Sequence, residues 1–258
     1  MNMQIRDILE KFDKKKISIS EAEKLLKLNG IEEVEGLAKI DVSRQLRRGV
    51  PEIILAEGKL PEHTAKIAVR ALARNGSVII SRISDADDKA IRKGLPKGVS
   101  IEKSALARII VLRKGAKKKV TNGKVGIITA GTSDMAVAEE AKVVLREMGC
   151  KAVCTYDVGV AGIHRLFPSI KMMIEEDVDA IIAVAGREGA MPTIIAGLVD
   201  IPVIGVPTSV GYGFGDKGIA ALQSMLQACS LGVATVNIDS GVAAGVIAGL
   251  IARRASKS

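Results

Sequence analysis

The sequence predicts an α/β protein in which a doubly wound parallel sheet forms the C-terminal domain and a small α/β domain precedes it. Three observations predict this class. From residue 125 onward, five short apolar runs alternate with helix-length segments, as in a chain of β-α units. The runs are continuously apolar, which is typical of strands covered by helices on both faces. Hydrophobic residues make up 48% of the chain, enough for a sizeable core.

The N-terminal part is predicted to hold a helical segment, residues 1–30, and then a small basic α/β domain, residues 31–113. In the first segment, Ser20 and Glu23 have the spacing of a capping box at the start of a second short helix. In the small domain, a proline opens and a glycine ends a predicted helix at residues 61–74. The other elements predicted here are strands at 52–55, 78–83 and 107–112, a helix at 85–93, and a polar linker at 114–124.

The C-terminal domain is assigned to residues 125–258, after an Asn-Gly turn in the linker. Small residues lie on more than one face of its last helix, and we expect them to allow close helix contacts in an oligomer. The five predicted strands are residues 125–129, 152–156, 180–185, 203–206 and 233–238. The predicted helices between and after them are residues 135–148, 164–176, 192–198, 218–227 and 242–253.

Positive charge is concentrated in the first half of the chain. Residues 1–124 hold 28 Lys and Arg against 16 Asp and Glu, a net +12, whereas residues 125–258 are net −3. Such an asymmetry indicates an anionic partner: nucleic acid, a small anionic substrate, or the acidic half of a neighbouring subunit. Phe12 is the only aromatic residue in that half, which argues against stacking on nucleic acid bases. A solvated basic surface explains the charge equally well.

The cysteines and the chain ends indicate a protein of a reducing cytoplasm. Cys150, Cys154 and Cys229 are too few for a disulfide framework, and no His–Cys cluster has zinc spacing. The N-terminus has no apolar core of a signal peptide. The apolar stretch at 241–252 is too short to span a bilayer, so no membrane partner is expected.

Glycine-rich segments with polar side chains follow the predicted strands. Ligands of doubly wound sheets bind beyond the carboxyl ends of the strands, so we expect these segments to form one site. A fifth segment, around Cys229, precedes the last strand and is expected at the same edge. The candidate binding residues are Gly131, Thr132, Ser133, Asp134, Asp157, Gly159, Gly162, His164, Arg165, Gly186, Arg187, Glu188, Pro207, Ser209, Gly211 and Tyr212.

The sequence also allows structural roles for the same residues. His164 and Asp157 can cap helices, and Arg187 can pair with Glu188. Cys229 can be a buried structural thiol, as Cys150 and Cys154 are expected to be.

Five motifs together resemble one known family. AGTSD, DVGVAGIHRL, AGREGAMP, VPTSVGYG and NIDSG are similar, in this order, to the LarB family of pyridinium-3,5-biscarboxylic acid mononucleotide synthases, which make a nickel pincer cofactor. Asp41, Arg44 and Arg47, with the Gly-x-Pro-Glu segment after them, resemble that family's first domain. The resemblance covers residues 35–250. The C-terminal half is also similar to PurE, the AIR carboxylase and mutase family.

The resemblance implies an activity, co-substrates and an assembly. LarB enzymes carboxylate the pyridinium ring of nicotinic acid adenine dinucleotide at C5 with CO2 and cleave the phosphoanhydride, releasing AMP. It also implies Mg²⁺, whose ligands the sequence does not identify, a cysteine nucleophile, no organic cofactor and a homo-octamer. PurE enzymes carry a catalytic histidine in the loop that matches AGREGAMP. Here Glu188 and Ala190 stand in that loop and no histidine follows, which argues against PurE activity.

The chemistry that the resemblance implies assigns roles to particular residues. Cys229 would supply the thiolate nucleophile, and Glu188 the base, with partial burial expected to raise the pKa of its carboxyl. Asp134 is the alternative base. Arg44 and Arg47 are expected to reach the dinucleotide or the entrance of its site, because a guanidinium binds carboxylates and phosphates in a bidentate manner.

Overall fold

The computed structural model describes residues 5–28, 31–34, 38–41, 48–115 and 122–256. Arg44 and Arg47 therefore lie outside the described residues. The chain divides into two compact units, one formed by residues 1–103 and 110–116 and the other by residues 104–109 and 117–258.

The first unit contains two small sheets and four helices within its described residues. The larger sheet has the strand order β3-β4-β6-β5, with β3 parallel and β6 antiparallel to β4. Its buried side chains, such as Ile80 and Leu112, pack with Leu72 and Ile91 of the helices. The bounds are α1 Ile5–Asp13, α2 Ile19–Leu28, β1 Ile31–Val34, β2 Ala38–Asp41, β3 Glu52–Leu55, α3 Pro61–Asn75, β4 Ser77–Ser81, α4 Asp85–Gly94, β5 Ser100–Ser104 and β6 Ile109–Arg113.

This unit differs from the sequence prediction in one capping box and in three strands, since β1 and β2, like β5, were not predicted. The capping box at the start of α2 is formed by Ser18 and Glu21, not by Ser20 and Glu23. The Ser18 amide donates to the Glu21 carboxylate at 2.8 Å, and the Glu21 amide donates to the Ser18 hydroxyl at 3.2 Å. Strand β5 was not predicted, because its sequence SIEKS is polar and its exposure reflects an edge position in the sheet.

The second unit is a five-stranded, fully parallel sheet with helices between its strands, as predicted. The strand order is β11-β10-β9-β7-β8. The bounds are β7 Lys124–Thr129, α5 Met135–Glu147, β8 Lys151–Thr155, α6 Leu166–Glu175, β9 Ala180–Ala185, α7 Met191–Ala196, β10 Val203–Pro207, α8 Ile219–Leu226, β11 Val233–Thr235 and α9 Gly241–Ala255. Short 3-10 turns span Thr132–Asp134, Val160–Arg165 and Gly213–Gly218.

Helices cover both faces of this sheet, which explains why its central strands are apolar throughout. On one face, Leu166, Met173, Met191 and Met225 of α6, α7 and α8 form a single buried cluster with the strands. On the other face, α5 and α9 pack together over β7, β9 and β10. All six residues of β9 are buried as a result.

The small residues of α9 serve packing within the chain. A methyl group on Gly245 would lie 2.8 Å from the Ala141 carbonyl oxygen of α5, and one on Gly249 would lie 2.8 Å from Met148. Four alanine and glycine neighbours on the same face are also buried. This face of α9 is therefore occupied by α5 within the chain, and the expected oligomer contacts stay a prediction for the other faces of the helix. Within the described ranges, no helix is long and apolar enough to cross a membrane.

Candidate functional site

A cavity of about 730 Å³ opens at the carboxyl edge of the five-stranded sheet. This volume lies in the usual range for small-molecule sites. Four loops form its wall, and each one follows a strand: β7, β8, β9 or β10. The predicted site residues on the wall are Gly131, Ser133, Asp134, Gly159, Arg165, Gly186, Arg187, Glu188, Gly211 and Tyr212.

The Asp134 side chain bonds to two of the loops that form the cavity wall. One carboxylate oxygen accepts the Gly131 amide at 2.9 Å, and the other accepts the Thr208 hydroxyl at 2.7 Å. The side chain is almost fully buried, and this burial raises the pKa of Asp134, opposed by the hydrogen bonds from Thr208 and Gly131. The charge of Asp239 raises it further. The carboxylate thus organises the loop after β7 and joins it to the loop after β10.

The loop after β8 brings a cation to the cavity. Asp157 has a left-handed backbone with φ of 59°, and the Arg165 guanidinium donates to its carbonyl oxygen at 3.2 Å. The Asp157 carboxylate lies 3.7 Å from the same group. A methyl group on Gly159 would lie 2.6 Å from the Ala130 carbonyl oxygen, so only glycine allows these two loops to approach so closely. Asp157 therefore orients Arg165, which lines the wall.

The loops after β9 and β10 meet at the mouth of the cavity. The Arg187 amide donates to the Val210 carbonyl at 3.4 Å. The guanidinium carbon of Arg187 lies over the Tyr212 ring, 4.6 Å from its centroid. Hydrogen bonding to Arg187, and then its charge, lower the pKa of Tyr212. Arg187 is thus engaged with Tyr212, whereas the sequence left open a pair with Glu188.

Glu188 lies on the cavity wall, but its side chain is exposed to solvent within the single chain. The expected partial burial is therefore wrong for one copy of the protein. Glu188 follows β9 in a turn where Arg187, with φ of 50°, and Gly189, with φ of 63°, both have a left-handed backbone. A bound ligand or a neighbouring copy would have to supply any burial.

Six other predicted binding residues lie at the same edge without lining the cavity. The Ser209 amide donates to the Asp239 carboxylate at 2.8 Å, and Pro207 ends β10. His164 is exposed in the 3-10 turn after β8. The six residues are Thr132, Asp157, Gly162, His164, Pro207 and Ser209.

Cys229 lies at the opposite edge of the sheet. Because β11 is parallel to β10, the residues that precede β11 lie at the amino edge. The Val203 amide at the start of β10 accordingly donates to the Gly232 carbonyl, and a methyl group on Gly197 would lie 3.3 Å from the Ser230 hydroxyl. The expectation that this loop joins the other four is wrong. Cys229 is exposed, whereas Cys150 is buried and Cys154 is half-buried.

The fifth loop at the carboxyl edge is the one that follows β11, and it supplies a residue that was not predicted. Asp239 has φ of 55° and accepts the Ser209 amide, and its own amide donates to the Pro207 carbonyl at 2.9 Å. The sequence held a signal, since Asp239 follows the fifth apolar run. Thr208 was also not predicted as a site residue. It lies between the apolar strand β10 and Ser209, and the sequence does not distinguish it from its neighbours.

A metal site formed by protein side chains alone is absent from the described residues, where no group of three or more His, Cys, Asp or Glu is arranged to hold an ion. Mg²⁺ is commonly bound by one or two carboxylates together with substrate phosphates. Asp134 and Glu188 are the carboxylates on the cavity wall. Both oxygens of Asp134 already accept hydrogen bonds, so Glu188 is the carboxylate that fits a site shared with a phosphorylated ligand. The two carboxylates do not fit a closed metal centre.

Comparison with known proteins divides the chain in the same way as its sequence. Residues 124–258 match the AIR carboxylase family, and residues 31–114 match the LarB/PurE-like N-terminal domain. The chain is 48% identical over 255 residues, 98% of each protein, to a protein of Methanocaldococcus jannaschii described as uncharacterized. It is 32% identical to the N5-carboxyaminoimidazole ribonucleotide mutase of Thermotoga maritima, over 50% of this chain and 74% of that protein. The corresponding mutase of Pyrococcus horikoshii is 36% identical, over 48% of this chain and 69% of that protein.

Proposed function

Because the chain belongs to the LarB family, with a PurE-like AIR carboxylase domain at residues 124–258, we propose that it carboxylates a pyridinium nucleotide. The proposed substrate is nicotinic acid adenine dinucleotide, and the co-substrate is CO2 or bicarbonate. The products are pyridinium-3,5-biscarboxylic acid mononucleotide, a precursor of the nickel pincer cofactor, and AMP. No organic cofactor is required.

One observation carries this proposal: two cations and two carboxylates surround one cavity of suitable size. Arg165 and Arg187 suit the carboxylate and phosphate groups of an anionic dinucleotide. Glu188 suits the removal of a proton from the ring, and Asp134 suits ribose hydroxyls or the same proton transfer.

The reaction requires a nucleophile, since the electron-poor pyridinium ring does not attack CO2 by itself. Addition of a thiolate at C4 forms a C–S bond and converts the ring into an enamine whose C5 is nucleophilic. C5 then attacks CO2, a base removes the C5 proton, and the electron pair of that bond expels the thiolate and restores aromaticity. Glu188 is the proposed base, and Cys229 the proposed nucleophile.

The position of Cys229 at the amino edge means that it does not serve the cavity of its own chain. We propose that it acts in the cavity of a second copy, within a homo-oligomer that the family resemblance indicates is an octamer. Large apolar side chains are exposed near it and elsewhere in this unit, such as Leu226 at 66% and Leu231 at 92%. Burial of such surface is the usual driving force of assembly.

Cleavage of the phosphoanhydride is the second proposed step. Water attacks one phosphorus atom and AMP leaves, and each product keeps one phosphate. Mg²⁺ would neutralise the charge of the diphosphate, and Glu188 would help to hold it there. Arg165, fixed by Asp157, would contact the same phosphates.

Incubation of the protein with nicotinic acid adenine dinucleotide, bicarbonate and Mg²⁺ tests the proposal, with the products measured by mass spectrometry. We expect AMP and a mononucleotide that is heavier than nicotinic acid mononucleotide by one CO2. With ¹³C-bicarbonate the added mass must contain the label. Release of AMP without the carboxylated product, or no reaction, would contradict it.

The alternative activity is that of the mutases to which the C-terminal unit is similar. The name of these mutases describes action on N5-carboxyaminoimidazole ribonucleotide. His164, one of two histidines in this chain, does not line the cavity, and a residue matching the catalytic histidine of PurE is absent from the loop after β9. Incubation with N5-carboxyaminoimidazole ribonucleotide distinguishes the two, since only a mutase would isomerise it.

A further inference from the structure

Two aromatic residues are exposed in the loop after β10, in a chain that has very few. The protein contains three Phe, two Tyr and no Trp among 258 residues. Tyr212 is 82% exposed and Phe214 is 102% exposed, and only Tyr212 lines the cavity. Exposure of a large ring to water gives no folding free energy. The position of Tyr212 is therefore not explained by the packing of this chain.

The geometry at the cavity mouth fixes one face of the Tyr212 ring. The Arg187 guanidinium carbon lies 4.6 Å from the ring centroid, and the Arg187 amide bonds to the Val210 carbonyl on the same loop as Tyr212. Gly186 has no room for a side chain, since a methyl group would meet the Val210 carbonyl and lie 2.7 Å from the Thr208 hydroxyl. With Arg187 on one face and most of the ring exposed, Tyr212 offers the other face to a ligand.

We propose that Tyr212 is a stacking platform for a planar heteroaromatic ring, and that it binds the adenine of the dinucleotide at the cavity mouth. An electron-rich phenol suits a purine face, and Arg187 beside it suits the adjacent phosphates. The identity of the ring as adenine rests on the proposed function, whereas stacking itself does not. The pyridinium ring would then lie along the part of the wall that carries Glu188 and Asp134.

Tyrosine fluorescence gives a direct test of stacking, because the protein has no tryptophan. Tyr156, the other tyrosine, bonds to the Glu139 carboxylate at 2.6 Å and does not line the cavity. In the Tyr156→Phe variant all emission comes from Tyr212. We expect AMP to quench this emission in a saturable manner, with corrections for absorbance made on free tyrosine. Absence of quenching at saturating AMP would overturn the proposal.

Binding affinities measured by calorimetry distinguish the contribution of the Tyr212 ring from that of other contacts with the ligand. Tyr212→Leu is expected to weaken the binding of AMP and of the dinucleotide by about 5–100-fold, the usual effect of losing one stacked base. Tyr212→Phe keeps the ring and should bind both, and nicotinic acid mononucleotide should bind all variants equally. Phe214→Leu is the matched control, since it removes an equally exposed ring from outside the cavity wall.

The two proposals fail in different ways. If Tyr212→Leu binds AMP and the dinucleotide as tightly as the unaltered protein, the stacking inference is wrong even where carboxylated product forms. If no carboxylated product forms but AMP binding depends on the Tyr212 ring, the reaction proposal fails and the platform remains. Circular dichroism and unchanged thermal midpoints of the variants exclude misfolding as the cause of a lost affinity.

Discussion

The Thr208 hydroxyl donates to the Asp134 carboxylate at 2.7 Å, and both side chains are buried beneath the cavity. This bond joins the loop after β7 to the loop after β10, which are separated by 74 residues in sequence. The second oxygen of Asp134 accepts the Gly131 amide. One carboxylate thus fixes the relative positions of two walls of the site.

Replacement of this carboxylate should change how stability depends on pH. Burial raises the pKa of Asp134, so its proton is bound more tightly in the folded than in the unfolded protein. The resulting stability is fully present below the unfolded-state pKa of about 3.9 and is lost as pH rises through the folded-state pKa. In Asp134→Asn, the amide oxygen can accept from Gly131 and the amide nitrogen can donate to Thr208, but nothing titrates.

Urea unfolding between pH 3 and pH 7 measures this difference. The free energy of unfolding of the wild type minus that of Asp134→Asn is expected to fall as pH rises. A difference that stays constant, or increases with pH, would show that burial does not govern this carboxyl.

Gly186 and Gly131 both line the cavity, and they should differ in their tolerance of a methyl group. A methyl group on Gly186 would collide with the Val210 carbonyl and lie 2.7 Å from the Thr208 hydroxyl. That hydroxyl bonds the loop after β10 to Asp134. Gly186→Ala is therefore expected to lower the free energy of unfolding by about 1–3 kcal/mol. On Gly131, whose φ is −129°, the nearest atoms are at 3.5 Å, and Gly131→Ala should retain nearly full stability. Equal thermal midpoints for the two variants would refute this reasoning.

Glu188→Gln should lower turnover by about 10²–10⁴-fold and leave binding of the dinucleotide largely intact. An amide keeps the size of the side chain but does not accept the C5 proton. The control is Glu175→Gln on α6, which removes a carboxylate that is 65% exposed and far from the wall. Steady-state formation of the carboxylated product measures both. Normal turnover by Glu188→Gln would transfer the role of base to Asp134.

The thiol of Cys229 should act between copies of the chain. Cys229→Ser alone is expected to abolish the reaction, whereas Cys150→Ser and Cys154→Ser are not. Co-expression of Cys229→Ser with Glu188→Gln chains should restore activity, because mixed oligomers then contain cavities with an intact Glu188 and a neighbour's intact Cys229. The controls are oligomers in which wild-type chains are mixed with either variant. If these are active while oligomers of the two variants stay inactive, Cys229 and Glu188 do not meet across an interface.

Assembly is the premise of that experiment, and light scattering measures it directly. We expect a particle of eight chains of 27.1 kDa each. Substitution of exposed Leu231 by Glu should shift the particle toward smaller species, whereas Leu60→Glu, in the other unit, should not. A monomer at micromolar concentration would also remove the basis for a shared active site.

The sheet of the second unit was predictable because each strand is a continuous apolar run between helix-length segments. Four of the loops at its carboxyl edge were predictable for the same reason: they follow such runs, and glycine marks where two loops approach closely, as at Gly159. The sequence of β5 gave no comparable information. A polar strand at a sheet edge packs little of its surface on the core, so its sequence does not show the apolar pattern of a buried strand.

The wrong predictions concern features that depend on the direction of the chain at a sheet edge or on the elements that pack nearby. Cys229 was assigned to the wrong edge because a loop before a strand and a loop after it have similar compositions, and only the parallel pairing of β11 distinguishes them. Glu188 was expected to be partly buried because it follows an apolar strand, but the strand does not determine the exposure of a residue in the turn after it. The small residues of α9 were expected to be available to a partner on more than one face, yet α5 covers one of these faces.

The contact of Gly241 with α5 links a position outside the cavity to its chemistry. A methyl group on Gly241 would collide with the Val137 carbonyl, in the first turn of α5, directly after Asp134. A larger residue at 241 is therefore expected to displace this turn, which begins directly after Asp134. Directed-evolution libraries confined to the wall of the cavity would miss this position, although it lies against the helix that follows Asp134.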